Sequence, residues 1–383
     1  MGQARLWHRV QRRSPSIHIA AATPSCDVRV SSGSHPHLLR AFIAPQLPTS
    51  PCETITNLYC HQRQYVIYSL LMTEPLLDTP LRIYTAVWGP KYTDLFEKTI
   101  IRSFRWPDNN KALLNEKVIW SIHTFKEEAA HLIQLCKRTG VDNYEITELP
   151  DGLRPPLKPG VDMGALLLAQ FICEIKRCLE TNSRLLIAPP DSLFGDGTLR
   201  SLFINGSQKG TCVAVPHPRV LPSIFDYPSR LCESLKDTLT NSDLVTECFE
   251  HLHRTWSEAE VGLDKINSYV GGVCWRKIAK GLYSVQHRLP TNYLIHFTYS
   301  DLQFFEQQIA FGAIDHLWPT KLIAEERERV IGSSDVAFIC EITESNQNVP
   351  PAYPYTKDEP DKFWRKAPHN AFFRQVQVIF RGT

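Results

Sequence analysis

A charge excess, long apolar runs and paired cysteines are all missing from this sequence. The 383 residues carry a net charge of only +2, which gives no argument for a nucleic-acid or anionic-membrane partner. No run of 18 or more apolar residues occurs, so the sequence offers no transmembrane helix. The eleven cysteines include no Cys-x-x-Cys pair. Scattered reduced thiols in a cytoplasmic compartment are therefore expected, not a disulfide framework or a zinc site. Cys173 and Cys178 lie five apart on a probable helix and point in different directions. Several chemical signatures are also lacking: G-x-x-x-x-G-K-[ST], a G-x-G-x-x-G after the first strand, G-x-S-x-G and H-E-x-x-H. Their absence argues against a P-loop NTPase, a dinucleotide dehydrogenase, an α/β-hydrolase and a zincin protease.

The first 71 residues lack lysine altogether and are poor in acids. Seven Arg against Asp27 and Glu53 give this stretch a formal +5. No amphipathic period persists between Met1 and Ser50, and Tyr65–Leu71 is a short apolar run. Three readings fit: an organellar transit peptide, a basic arm for an acidic partner, or a leader ahead of a true start at Met72. The expected division is a basic, poorly structured extension over 1–71 and a working domain over 72–383.

From Met72 the texture becomes strand–helix alternation. LRIYTAVWG from Leu81 reads as a strand, and Lys91–Phe104 has helical spacing. WPDNN reads as a loop, followed by a strand over Lys117–Thr124. A helix is expected over Glu127–Arg138, stopped at Gly140, and NYEITEL is a third strand. Asp162 is a plausible N-cap for a helix over Met163–Glu180, whose apolar start predicts burial. RLLIAPPD and TCVAVP are the fourth and fifth strands. Residues 229–269 look helical, and short strands follow in LYSVQHRL, NYLIHF, VAFICEIT and VQVIF. The alternation predicts an α/β protein with a mainly parallel central sheet flanked by helices, Rossmann-like in its N-terminal half, and a mixed α+β C-terminal part.

The stretch LLIAPPDSLFGDGTLRSL, Leu185–Leu202, carries the chemical interest. A strand ends by presenting Asp191, and Asp196 follows between Gly195 and Gly197. In open α/β sheets ligands bind beyond the carboxyl ends of the strands. Two carboxylates on a glycine-rich turn suit Mg²⁺ or Mn²⁺ holding a diphosphate, while Gly195 permits close backbone approach. The plain alternative is that Asp191 caps the next turn and Asp196 makes an Asp-Gly turn.

These parts, in this order, resemble a nucleotide-sugar-dependent glycosyltransferase of the GT-A type. The resemblance runs over about residues 81–345. It rests on TAVWGPKYTDLFEKTIIRSF, LLIAPPDSLFGDG, HRLPTNYL, FGAIDHLWP and SSDVAFICEIT. It implies a hexosyl-type transfer from a nucleoside-diphosphate donor to a hydroxyl acceptor on a carbohydrate or other molecule. Gly89, Tyr92, Asp191 and Gly195 would then face the nucleotide. Asp191, Asp196 and His287 would hold a divalent cation, and Asp315 or Glu341 would act in catalysis, with Asp315 the candidate base. Trp318 could stack on a sugar. One departure stands out: the chain contains no Asp-x-Asp. That leaves open a metal-independent version, or a non-enzymatic binding or structural protein on the same scaffold.

Overall fold

The computed structural model describes residues 79–149, 163–226, 229, 231, 238–260, 265–268, 273–287, 291–308, 321–322, 325–345, 353–356 and 376–383. The expectations for residues 1–78, for the Asp162 cap, and for Asp315 and Trp318 lie outside the described residues.

Strand β1 (Leu81–Ala86) alternates between two buried faces. Leu81 and Ile83 join one apolar core, and Tyr84 joins another. Helix α1 (Pro90–Phe96) starts with proline in its first turn and runs on through a π-helical turn, Glu97–Ile101, to Arg102–Phe104. Thr99 Oγ1, in the π turn, lies 2.7 Å from both Leu95 O and Pro190 O. That contact ties α1 to the loop carrying Asp191.

The expected WPDNN loop is instead the start of helix α2 (Pro107–Leu114). Pro107 pre-sets the first helical φ. The cap is Asp196, whose Oδ1 accepts from the backbone N–H of Asp108 and Asn109, both at 3.0 Å. A cap supplied from so far along the chain leaves no local sequence signal.

Strand β2 (Val118–Thr124), helix α3 (Lys126–Lys137) and strand β3 (Tyr144–Glu148) follow where the periodicity places them. Gly140 ends α3's extension at φ +83°. Helix α4 (Met163–Thr181) is not buried all round. Leu168, Ile172 and Ile175 are buried, while Leu167 and Cys173 are exposed, because the helix lies on one face of the sheet and keeps a solvent side.

Next come β4 (Arg184–Ile187), β5 (Ser192–Phe194), helix α5 (Thr198–Asn205), β6 (Cys212–Val215) and β7 (Arg219–Val220). The region expected to be helical over 229–269 contains α6 (Asn241–Glu250) and α7 (Arg254–Ser257), but also strand β8 (Lys265–Ser268). The remaining elements are β9 (Val273–Ala279), β10 (Leu282–His287), β11 (Thr291–Ile295), α8 (Tyr299–Gln308), β12 (Glu328–Val330), β13 (Ile339–Ile342), β14 (Tyr353–Thr356) and β15 (Val376–Arg381). Strand β8 pairs with β14, far along the chain. A four-residue segment takes its state from such a partner, not from its own spacing.

The central sheet has the order β12-β6-β11-β4-β1-β2-β3. Every neighbouring pair is parallel except the two made by β11. This is a mixed α/β architecture with a mainly parallel central sheet flanked by helices. The chain builds outward from β1 through β2 to β3, then returns to place β4 on the other side of β1. The reversal opens a crevice beyond the carboxyl ends of β1 and β4, where an open α/β sheet seats a ligand.

Two small sheets, β15-β10-β9 and β5-β13-β7, pack around a further core that includes Leu193, Val220, Val285, Phe338 and Phe380. Among the described residues no helix is long and apolar enough to cross a membrane.

Candidate functional site at the carboxyl ends of the strands

Strand β1 leads through Gly89 into α1, whose Lys91, Tyr92 and Leu95 line one side of the crevice, and β4 delivers Asp191 to the other. Gly89 has φ +79°, a conformation that favours glycine, and the space where a Cβ would point is empty. Its N–H donates to Glu128 Oε1 at 2.7 Å. Tyr92 is 36% exposed. It lines a narrow crevice together with Lys91, Leu95, Asp191 and Glu344. Lys91 Nζ lies 3.2 Å from Glu344 Oε1 and 5.6 Å from the centre of the Tyr92 ring.

The small sheet β5-β13-β7 assembles the rest. Its middle strand pairs Glu341 with Ser192 on one side and with Arg219 on the other. Ile342 N–H donates to Asp191 O at 2.7 Å, and Glu341 N–H donates to Pro218 O at 2.9 Å. Segments from three distant parts of the chain thus lay Asp191, Glu341 and Arg219 side by side. His217 follows β6 and meets Glu341 through Nε2 at 3.2 Å. Arg219 Nε lies 3.1 Å from Glu341 Oε1, and Thr343 Oγ1 donates to the same oxygen at 3.0 Å.

Glu341 and Asp191 are held at opposite ends of the carboxyl range. Burial pushes Glu341 upward, but the His217 hydrogen bond and the His217 and Arg219 charges outweigh it and hold the group down at about 2. Asp191, half-buried, is pushed up to about 6 by burial and then by the Glu341 charge, against weaker pulls from His217 and Arg219. One carboxylate is a fixed anion. Its neighbour titrates close to neutrality.

His287 joins the same cluster from β10. Its ring centre is 6.2 Å from that of His217, and it stacks on Trp256 at 6.1 Å. Burial, then the electrostatic influence of His217 and Arg219, push it down to about 3, so it is a neutral imidazole. Its Nδ1 and that of His217 are buried without a hydrogen-bond partner.

The structure therefore brings Asp191, Glu341 and His287 into one neighbourhood, with Tyr92 on the crevice wall beside Asp191; Gly89 turns to Glu128 instead. Asp196 and Gly195 serve elsewhere. Asp196 Oδ1 accepts from Asp108, Asn109 and Gly197 N–H groups. A Cβ on Gly195 would lie 2.0 Å from Asn241 Oδ1, so the bare backbone admits the start of α6. Asp335 pairs with Arg381 at 3.2 Å. His217 and Arg219 were missed by the sequence reading. Their signal was the one used for Asp191: polar residues just past the end of a buried strand, here PHPR after TCVAV.

The divalent cation implied by the family resemblance does not find a centre in this arrangement. Among the described residues, the three-residue group whose ligand atoms lie within 4.8 Å of one another is Glu247, Glu250 and His251. Asp191, Asp196 and His287 do not gather in that way. Glu341 is occupied by three donors, and Asp196 by three N–H groups.

No protein-family model matches the chain, and no curated protein matches it. Among solved structures it is similar to the inositol-1-phosphate CTP transferase from T. maritima. The identity is 11% and the TM-score 0.31, over 70% of this chain and 90% of that one. A likeness that loose leaves the architecture to be read from the strand order itself.

Proposed function

We propose that the protein transfers a sugar from a nucleoside-diphosphate donor to a hydroxyl acceptor, with the donor seated in the crevice between β1 and β4. The observation that carries this reading is the placement of Asp191 at the switch point, on the crevice wall with Tyr92 and Lys91, beside the fixed anion Glu341. The Tyr92 ring offers an apolar face to the nucleoside, and Gly89 leaves room for close approach. Lys91 lies where a diphosphate would need a cation. Most of the rate acceleration in such a transfer comes from stabilising the departing diphosphate.

Proton transfer suits Asp191 better than Glu341. A base works best with a pKa near the working pH, and two acids whose pKa values are pushed apart divide their roles. Glu341 then positions His217 and Arg219, while Asp191 takes the acceptor proton. Asp315 remains a second candidate base by resemblance. The same reading keeps the protein in the cytoplasm, on cysteine usage.

A second reading is a non-enzymatic binding protein on the same scaffold. It is favoured by the narrow crevice and by the Lys91–Glu344 pair across it. Thermal melting of the protein against a panel of nucleotide sugars separates the two. The transferase reading expects an upward shift with one donor class; Asp191→Ala should keep that shift and lose sugar transfer, because Asp191 takes the acceptor proton. No shift with any donor, from a well-folded protein, favours the binding or structural reading.

A further inference from the structure

We infer that the donor diphosphate is held by the chain's own cations, Arg219 together with Lys91, and that its binding needs no divalent metal. This deepens the proposed transferase reading and rests on it. A metal in such a site neutralises the diphosphate as it leaves. Side-chain cations at the same place can do that work instead.

Three observations support the assignment. First, the carboxylates that would hold a metal are already committed. Asp196 accepts from three N–H groups, two of them at the start of α2, and Glu341 is bound by His217, Arg219 and Thr343. Asp191 is left, and Arg219 and His217 stand close enough for their charge to act on it. A second cation placed there would be repelled by Arg219.

Second, Arg219 is built to take an anion. It holds Glu341 through Nε, and no described residue accepts from its two terminal nitrogens. About a third of its side chain is open, at 33%. A guanidinium can grip a carboxylate along one edge and a phosphate along another, in fixed fork geometry. Glu341 thus aims Arg219 and does not compete for the whole group.

Third, Lys91 sits on the crevice wall in an ion pair that is easily exchanged. Lys91 and Glu344 are 45% and 43% exposed, and pairs between exposed side chains contribute little. A phosphate oxygen can replace the Glu344 carboxylate at small cost. Removing Glu344 should therefore strengthen anion binding.

The test is calorimetric titration of the full chain with UDP, GDP, CDP and ADP, first in excess EDTA and then in excess Mn²⁺. The inference expects one of them to bind in EDTA with an affinity within about threefold of that in Mn²⁺. Lys91→Ala should weaken this binding about three- to tenfold, and Glu344→Gln should tighten it. Arg219→Ala alone would strand Glu341, so the double change Arg219→Ala with Glu341→Gln, checked for folding by melting, is the variant to use. It should lose about tenfold or more. Binding seen only with Mn²⁺, or binding in EDTA that neither the Arg219 double variant nor Lys91→Ala weakens, overturns the inference and leaves the transferase reading standing. Binding of none of the four under either condition overturns that reading and this inference together.

Discussion

Two carboxylates in this molecule, one buried and one partly open, are held at the same low pKa for different ends. Glu174, on α4, is fully buried against the sheet. It accepts from Ser121 Oγ at 2.8 Å, His123 Nε2 at 2.8 Å and Arg177 Nη1 at 2.6 Å, with Arg82 Nε at 3.4 Å. Arg177 lies on α4 itself; Arg82, Ser121 and His123 come from the face of β1 and β2 that the pleat turns away from Leu81, Ile83, Trp120 and Ile122. Burial pushes Glu174 up, but His123, Ser121 and Arg177 together hold it at about 2. Glu341 is also held at about 2, yet its side chain is 19% exposed. It also has a second acid, Asp191, beside it with no cation of its own. A charge network that closes on itself fixes helix against sheet. One that leaves an acid over, at a strand end open to solvent, has something to offer a ligand.

The comparison is broken most severely at Glu174. Glu174→Ala leaves His123 and Arg177 around an empty centre, and Arg82 with Glu145 alone, and should cost about 3–5 kcal/mol in urea unfolding. Glu341→Ala should cost less, about 2 kcal/mol, because solvent can reach the freed Arg219. It should also change the nucleotide response, which a change at Glu174 in a still-folded protein would not. Acid titration treats the two alike. Both groups are depressed below the ordinary 4.5, so their stabilisation is complete above pH 4.5 and lost as pH falls towards 2.

Asp191 should respond with the opposite sign. Its pKa in the folded protein is about 6 against 3.8 ordinarily. Ionising it therefore costs stability as pH rises from 3.8 through 6. Asp191→Asn should stabilise the protein by about 1–2 kcal/mol at pH 8 and by nothing below pH 3.8, as read by thermal melts across pH. A variant that is more stable and still binds donor, yet no longer transfers the sugar, is what a functional residue held at a cost produces. The smallest effect belongs to Asp196. Asp196→Ala removes a helix cap worth about 1 kcal/mol and should leave nucleotide binding unchanged. A loss of binding at Asp196 with the melt unchanged would return it to the site.

Strands β1, β2, β3, β4 and β6 fall where the sequence places its first five strands. Strands β5 (Ser192–Phe194) and β12 (Glu328–Val330), three residues each, were not legible. Asp191 was legible because it follows a buried strand at the end where ligands bind. Helix α2 was not, since its cap comes from Asp196, nor was β8, since its state comes from β14. The role of Asp196 could not be separated from that of Asp191 in the sequence, because the two share one turn. Only the path of α2 beneath that turn gives them different partners.

The sequence by itself determined the alternation of strand and helix, the mainly parallel sheet that follows from it, and the arrival of an acid at the end of β4. These depend on local periodicity and on the polarity of strand ends, which neighbouring residues specify. The tertiary structure alone decided that Glu341, Arg219 and His217 would meet Asp191 and that Asp196 would not. Those contacts turn on Glu341, which comes from more than a hundred residues along the chain through the pairing of β5, β13 and β7. Backbone register between distant strands sets them, and no short stretch of sequence carries it.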